Sequence, residues 1–263
     1  MITDGDAAVV WTMEVDLVDA ETLARWQDVL GPDEIVYAAR CFSAVHRKTY
    51  IAAHALMRAL LEAIGGMPAR DWQFRTSESG RLHAVAQPGS AVPQFSLTHT
   101  DSLVACAASK SFFLGIDAES RQRRMPAEVM NTALAPSELD LVRSMPADQR
   151  NESFLRLWTL REAYVKAAGG GLNFPNEEFG FQLDPLNIFF TDGTERQETG
   201  EWQLFNWSVK QHILSLAAHC HESRPITITQ RILAPNELAF ISLAKCDSTQ
   251  RVADRPAGTS NQG

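Results

Sequence analysis

The apolar run Phe112-Phe113-Leu114-Gly115-Ile116 ends in Asp117-Ala118-Glu119, and this junction most limits how the chain can fold. The run reads as a buried strand, and residues i and i+2 of a strand face the same side. Asp117 and Glu119 therefore aim two carboxylates at one point, with Ala118 turned to the opposite face. Downstream, Trp158-Thr159-Leu160-Arg161-Glu162-Ala163-Tyr164-Val165-Lys166 reads as helix. A spacing of four stacks Trp158, Glu162 and Lys166 along one side of it. Where helix and strand end meet, three carboxylates and one ammonium converge, a set of hard oxygen donors suited to Mg²⁺ and phosphate chemistry. Taken singly, each piece also fits something plainer. An Asp-x-Glu pair fits a solvated strand edge, and Glu162 with Lys166 fits a surface salt bridge worth roughly 0.2–0.5 kcal/mol.

The neighbouring sequence separates these readings. Phe95-Ser96-Leu97-Thr98-His99-Thr100 comes first, then Gly115-Ile116-Asp117-Ala118-Glu119, then Trp158 through Lys166 closing with Gly169-Gly170-Gly171-Leu172. In this order and spacing the chain resembles the 4′-phosphopantetheinyl transferases of the larger, Sfp-like type. Their motifs run F-S-x-S/T-H-S/T, G-x-D-x-E and W-[ST]-x-K-E-A-x-x-K-x-x-G-x-G-L. The middle of the chain matches closely, and the likeness extends more loosely from Arg47 to the strand around 212–219.

The resemblance implies an α+β fold of two similar α/β subdomains related by a pseudo-twofold, with the active site in the cleft between them. It places a coenzyme A-binding subdomain at 1–112 and a metal- and carrier-binding subdomain at 113–245. The implied reaction moves 4′-phosphopantetheine from coenzyme A to a serine of an apo acyl or peptidyl carrier protein, giving the holo carrier and 3′,5′-ADP. Asp117, Glu119 and Glu162 match the family's metal carboxylates, for Mg²⁺ with Mn²⁺ as a substitute. Glu162 is also the candidate general base, and Lys166 matches the lysine that steadies the diphosphate and protonates the leaving phosphate. Arg161 stands where the family has lysine, which keeps the charge but alters its geometry. For coenzyme A itself, Arg47 matches a phosphate-binding arginine at a helix start. Arg81 matches the basic residue of a Gly-[Lys/Arg]-Pro turn whose proline is Leu82 here, and Thr98 and His99 match the S/T-H pair that contacts phosphates. Arg121, Arg123, Arg124, Met125, Met130, Leu134 and Leu141 follow the Asp-x-Glu motif, where the family docks its carrier. A basic and apolar patch there suits an acidic carrier helix.

Two other functions use parts of the same pattern: a non-catalytic module that binds carriers, and a metal-dependent phosphohydrolase of nucleotide diphosphates. Composition excludes more. A net charge of −8 lacks the basic field that nucleic-acid binding needs. No apolar run approaches the ~20 residues that span a bilayer. Met1-Ile2-Thr3-Asp4-Gly5-Asp6 lacks the charged and apolar regions of a signal peptide. The four cysteines, Cys41, Cys106, Cys220 and Cys246, lack CxxC spacing and suit a reducing compartment. The expectation is a cytoplasmic protein, and the resemblance implies a monomer. His219-Cys220-His221 lacks a third ligand and reads as a strand end rather than a metal site.

Along the chain, residues 9–17 alternate as a strand, a helix runs from Asp19 to Leu30 and stops at Gly31-Pro32, and a long helix runs from Ser43 to Gly65-Gly66. Trp72–Phe74 is a short strand before the turn at 77–80. Leu103–Ala108 is expected to turn back through Ser109-Lys110-Ser111 into an antiparallel hairpin with the strand ending at Asp117. Helices follow near 126–134, at 137–144 with Ser137 and Glu138 at its start, and at 149–168. Strands follow at 178–183, 188–191, 202–209 and 212–219. No internal repeat is visible in the sequence, and residues 246–263 have the polar composition of a disordered tail.

Overall fold

In a computed structural model, the chain is described at residues 7–78, 80–85, 92–169, 178–190, 201–220 and 225–240. The tail expected at 246–263, the Gly170-Gly171-Leu172 segment of the motif and His221 lie outside these residues.

The chain runs twice through one order of elements. The first pass is β1 (Ala7–Glu14), α1 (Ala20–Gln27), α2 (Pro32–Arg40), α3 (Ala44–Gly65), β2 (Phe74–Thr76), β3 (Leu82–Ala84), β4 (Gln94–His99) and β5 (Leu103–Ser109). The second is β6 (Phe113–Ser120), α4 (Ala127–Ala133), α5 (Pro136–Ser144), α6 (Arg150–Ala168), β7 (Phe179–Leu183), β8 (Leu186–Phe190), β9 (Glu201–Val209) and β10 (His212–Cys220). Strand pairing repeats as well. β5 lies antiparallel between β1 and β4, β10 lies antiparallel between β6 and β9, and each half adds a two-stranded ladder, β2–β3 or β7–β8.

The layers follow from β5, in which every residue is buried. A strand covered on both faces must be apolar on both, and Leu103-Val104-Ala105-Cys106-Ala107-Ala108 satisfies that with small side chains. Val104, Cys106 and Ala108 face α3, while Leu103, Ala105 and Ala107 face the second sheet through Leu114, Ile116, Leu214 and Leu216. On the far side of that sheet, Ile213 and Ala217 pack under α6. The order is helix, sheet, sheet, helix. Among the described residues no helix is long and apolar enough to cross a membrane, and Cys41, Cys106 and Cys220 are free thiols.

Several expectations are corrected. The hairpin between β5 and β6 does not form, because β1 and β4 already occupy both edges of β5, so the chain crosses to the second layer and pairs β6 with β10. The division at residue 112 counts β11 (Thr227–Leu233) with the second half, and this strand pairs in parallel with β1 of the first. Gly31-Pro32 does not end helical structure. Asp19 caps α1, accepting from the Thr22 amide at 2.7 Å, and Pro32 then opens α2, where its fixed φ and missing N–H suit a first helical turn. Likewise Pro136, not Ser137, opens α5 after the N-cap Ala135.

Both proline-led helices carry a glutamate that binds back to the chain. The Gly31 amide donates to Glu34 Oε2 at 2.6 Å, and the Ala135 amide donates to Glu138 Oε2 at 2.8 Å. Each glutamate then receives a buried arginine from the long helix of its half. Arg58 donates to Glu34 from Nη2 at 2.5 Å, and Arg161 donates to Glu138 from Nε at 2.7 Å. Further bonds run to the carbonyls of Ala69 and Trp72 for Arg58 and of Phe179 for Arg161, and each guanidinium covers a ring, Phe74 at 4.9 Å or Phe179 at 4.6 Å. Arg161, beside Glu162 in sequence, is thus a core residue 2% exposed.

Breaking such a pair strands a buried charge, which costs about 3–5 kcal/mol. Glu138→Ala is expected to lower unfolding stability by that amount in urea titration. Combining Glu138→Leu with Arg161→Met should cost clearly less, because neither charge then remains.

Candidate active site

β6 and α6 cross at Gly115. A side chain on Gly115 would collide with the Ala163 carbonyl and come within 2.6 Å of the Ala167 nitrogen. Glycine therefore lets the helix axis approach the strand, two residues before the paired acids. Lys166 reaches down from α6, donating to Asp117 Oδ1 at 2.6 Å and to the Ile116 carbonyl at 3.1 Å. The expected meeting of helix and strand end is present, but Lys166 pairs with Asp117 and not with Glu162 one turn away.

The acids sit in electrostatic tension. Asp117 and Glu119 are 7% and 8% exposed. Burial, with the charge of Asp117 added, pushes Glu119 above the usual carboxylate range, although Arg123 Nη1 donates to its Oε1. Glu162 is raised by burial and then by Asp117 and Glu119, with Lys166 opposing. Among the described residues, no three His, Cys, Asp or Glu side chains stand close enough together to hold a metal ion. Lys166 and Arg123 instead supply positive charge to Asp117 and Glu119. In kind, the donors fit a hard divalent cation: all are carboxylate oxygens, and two of them are raised by burial and then by like charge that a cation would offset.

A cavity of about 650 Å³ opens beside this set, with walls from both halves. Glu162, Lys166 and Trp158 line it from α6, and Arg81 and His99 from the first half. Tyr37, His46, Tyr50 and His54 complete an aromatic wall that the sequence reading missed. Tyr50 lies against His54 at 4.0 Å and Tyr37 at 4.5 Å between ring centres, and His46 stands 6.3 Å from His99. The signal was available: 46, 50 and 54 share one helix face by a spacing of four. His54 is oriented by Glu34, at 2.5 Å from its Nδ1. His99 is held below the usual imidazole range by burial and by His46 and Lys166, which keeps it neutral near pH 7.

Other expected ligands are engaged elsewhere. Arg47 does not line the cavity; its guanidinium donates to the carbonyls of Ala38 at 3.0 Å and of Ala39 and Cys41, closing the C-terminus of α2. Arg81 lines the cavity while donating to the Lys166 carbonyl at 2.7 Å, so it ties the first half to the end of α6. Thr98 is buried and donates to Asp117 Oδ1 at 3.1 Å, leaving its one hydroxyl proton committed. In the expected docking segment, Leu134 is buried in the core, and Arg121 is bonded to Glu152 and Ser208. His219 packs on Trp202 at 4.8 Å, a strand-end contact.

The family model of the 4′-phosphopantetheinyl transferase superfamily matches residues 113–217, the span that holds Asp117, Glu119, Glu162 and Lys166. Over this span the chain is similar to that superfamily. Among its relatives is the 4′-phosphopantetheinyl transferase HetI of Nostoc, 27% identical over 76% of this chain and 81% of its own. The 4′-phosphopantetheinyl transferase Sfp of Bacillus subtilis is 22% identical over 60% of this chain and 69% of its own. The first-half residues Arg81, Ser96, Thr98 and His99 fall outside the matched span, and their placement rests on the geometry above.

Two outcomes follow from the site. Gly115→Ala is expected to push α6 off β6 and lower the melting temperature. Glu162→Gln is expected to stabilise the protein in EDTA at pH 7–8 by about 1 kcal/mol, a rise of ~2–4 °C in melting temperature. Because the folded-state pKa of Glu162 is raised, its ionisation destabilises the fold as pH climbs through that value. The gap between variant and wild type should therefore close on acidification; a gap that widens would contradict the assignment.

Proposed function

We propose that the chain transfers the 4′-phosphopantetheine group of coenzyme A to a serine hydroxyl of an apo acyl or peptidyl carrier protein. The products are the holo carrier and 3′,5′-ADP. The observation that carries this reading is Lys166, bonded to Asp117, standing beside Glu162 on the wall of a cavity that both halves line. The attacking serine oxygen forms a bond to the phosphorus that bears pantetheine, and the bond from that phosphorus to the ADP oxygen breaks. Such a transfer is limited by charge and positioning.

Asp117, Glu119 and Glu162 would hold Mg²⁺ (or Mn²⁺), which when bound offsets the charge of the diphosphate. Glu162 takes the serine proton, directly or through a water, its proximity to the substrate carrying that duty. Lys166, one turn away and facing the cavity, moves between Asp117 and the diphosphate and returns a proton to the leaving phosphate. His99 and Arg81 offer hydrogen bonds to phosphate from the facing wall, and the flat rings of Tyr37, Tyr50 and His54 suit a planar base. Arg47 and Thr98 are left out of this set because neither lines the cavity. Arg124 and the exposed side of Arg123 remain as basic docking groups for an acidic carrier.

The repeated element order and the matched Glu–Arg pairs support a pseudo-twofold relation between the halves. One chain then supplies both walls of the cleft, consistent with a monomer. A non-catalytic carrier-binding module is not favoured, since the carboxylates and Lys166 are all in place. A phosphohydrolase is not favoured either, since the relatives are transferases.

Incubation with coenzyme A, Mg²⁺ and a panel of apo carriers should raise carrier mass by one phosphopantetheine in intact-mass spectrometry. Glu162→Gln and Asp117→Ala should each cut the rate by at least ~10²-fold with the fold retained. Full activity in both variants would overturn the mechanism.

A further inference from the structure

We infer that Thr159, acting through Ser215 and Asn206, is a positioning residue that sets the height and rotation of α6 on its sheet and so aims Glu162 and Lys166. This rests on the transferase reading only for its effect on rate; the contacts and the aim of Lys166 stand without it. Thr159 of α6 and Ser215 of the middle strand β10 are both fully buried, and their hydroxyl oxygens lie 2.7 Å apart. Asn206 of β9 donates from Nδ2 to Ser215 Oγ at 2.8 Å. Thr159 Oγ1 also stands 3.1 Å from the Arg156 carbonyl, one turn back along the helix. One assignment satisfies every group: Asn206 donates to Ser215, Ser215 to Thr159, and Thr159 to the Arg156 carbonyl. The amide at one end and the carbonyl at the other give this relay its direction.

The relay crosses an interface that is otherwise apolar, where Phe154, Leu155, Ala163, Ile213 and Ala217 pack between α6 and the sheet. Apolar contacts tolerate small slides of a helix, whereas a buried hydroxyl without a partner is costly. The helix therefore settles where Thr159 meets Ser215. Ser215 stands directly opposite Asp117 of β6 on one side and Asn206 of β9 on the other. Opposed residues of antiparallel strands share a face, so the relay registers α6 at the level of the sheet that carries Asp117, the partner of Lys166. A second fixed point lies where Gly115 meets Ala163 and Ala167. Positions 159 and 163 are about 6 Å apart along the axis, and Glu162 lies between them. Thr159 itself does not line the cavity, whereas Trp158, Glu162 and Lys166 do.

The test reads the aim of α6 in two ways on the same variants. Thr159→Val keeps the shape and removes the hydroxyl, and Thr159→Ser restores it. Acetylation of Lys166 by acetic anhydride, measured by peptide mass spectrometry against the exposed Lys110, reports whether the amine is still paired. Transfer kinetics give kcat and the KM for coenzyme A. In Thr159→Val, Lys166 is expected to acetylate about 5-fold faster, and kcat to fall at least ~10-fold with KM unchanged. Thr159→Ser should recover both. A lower melting temperature with unchanged acetylation would make Thr159 a packing residue and overturn the inference. A raised KM with unchanged kcat would also overturn it. If Thr159→Val does not fold by circular dichroism, Ser215→Ala and Asn206→Ala break the relay from the strand side, and the same results decide. A wild type that transfers, with acetylation unchanged in the variants, sinks this inference alone. A wild type that does not transfer, with Lys166 acetylating faster in the variants, sinks the transferase reading alone.

Discussion

The close approach of α6 to β6 at Gly115 is the contact on which the site depends. Lys166 can reach the Ile116 carbonyl and Asp117 only because no side chain separates the helix from the strand at that crossing. The same approach carries Glu162 and Trp158 along the helix to the cavity wall. A bulkier residue at 115 would move every α6 group relative to the strand together, since a helix shifts as a rigid element.

That approach gathers like charges, and the molecule answers with basic side chains. Lys166 serves Asp117 and Arg123 serves Glu119, yet Glu119 and Glu162 are still raised above the usual range. Such a site is costly to fold. Stability comes from elsewhere. The core pairs Glu34–Arg58 and Glu138–Arg161 lock a proline-led helix to the long helix in each half, and α3 and α6 cover the outer faces of the two sheets.

The repeat behind this arrangement is almost silent in the sequence. Its trace is Pro32-x-Glu34 followed by Arg58, and Pro136-x-Glu138 followed by Arg161. Reading Gly31-Pro32 as a stop hid the first of these, because proline both ends and begins helices and only the following turn distinguishes the two. The hairpin expected between β5 and β6 failed for a comparable reason. A short turn between two apolar strands makes pairing available, but whether an edge is free depends on β1 and β4, which come from other parts of the chain.

Local chemistry was legible. The alternation through Asp117 and Glu119, the spacing of four through Trp158, Glu162 and Lys166, and the motifs around them determined which strand end and which helix carry the acidic groups, since strand and helix periods act over a few residues. Tertiary structure alone decided the partners: Lys166 on Asp117 instead of Glu162, Arg47 on the end of α2, Thr98 on Asp117, and β11 back beside β1. A side chain's type says what bonds it can make. Which bond it makes depends on the groups that packing brings within about 3 Å, and those come from residues far away in the chain.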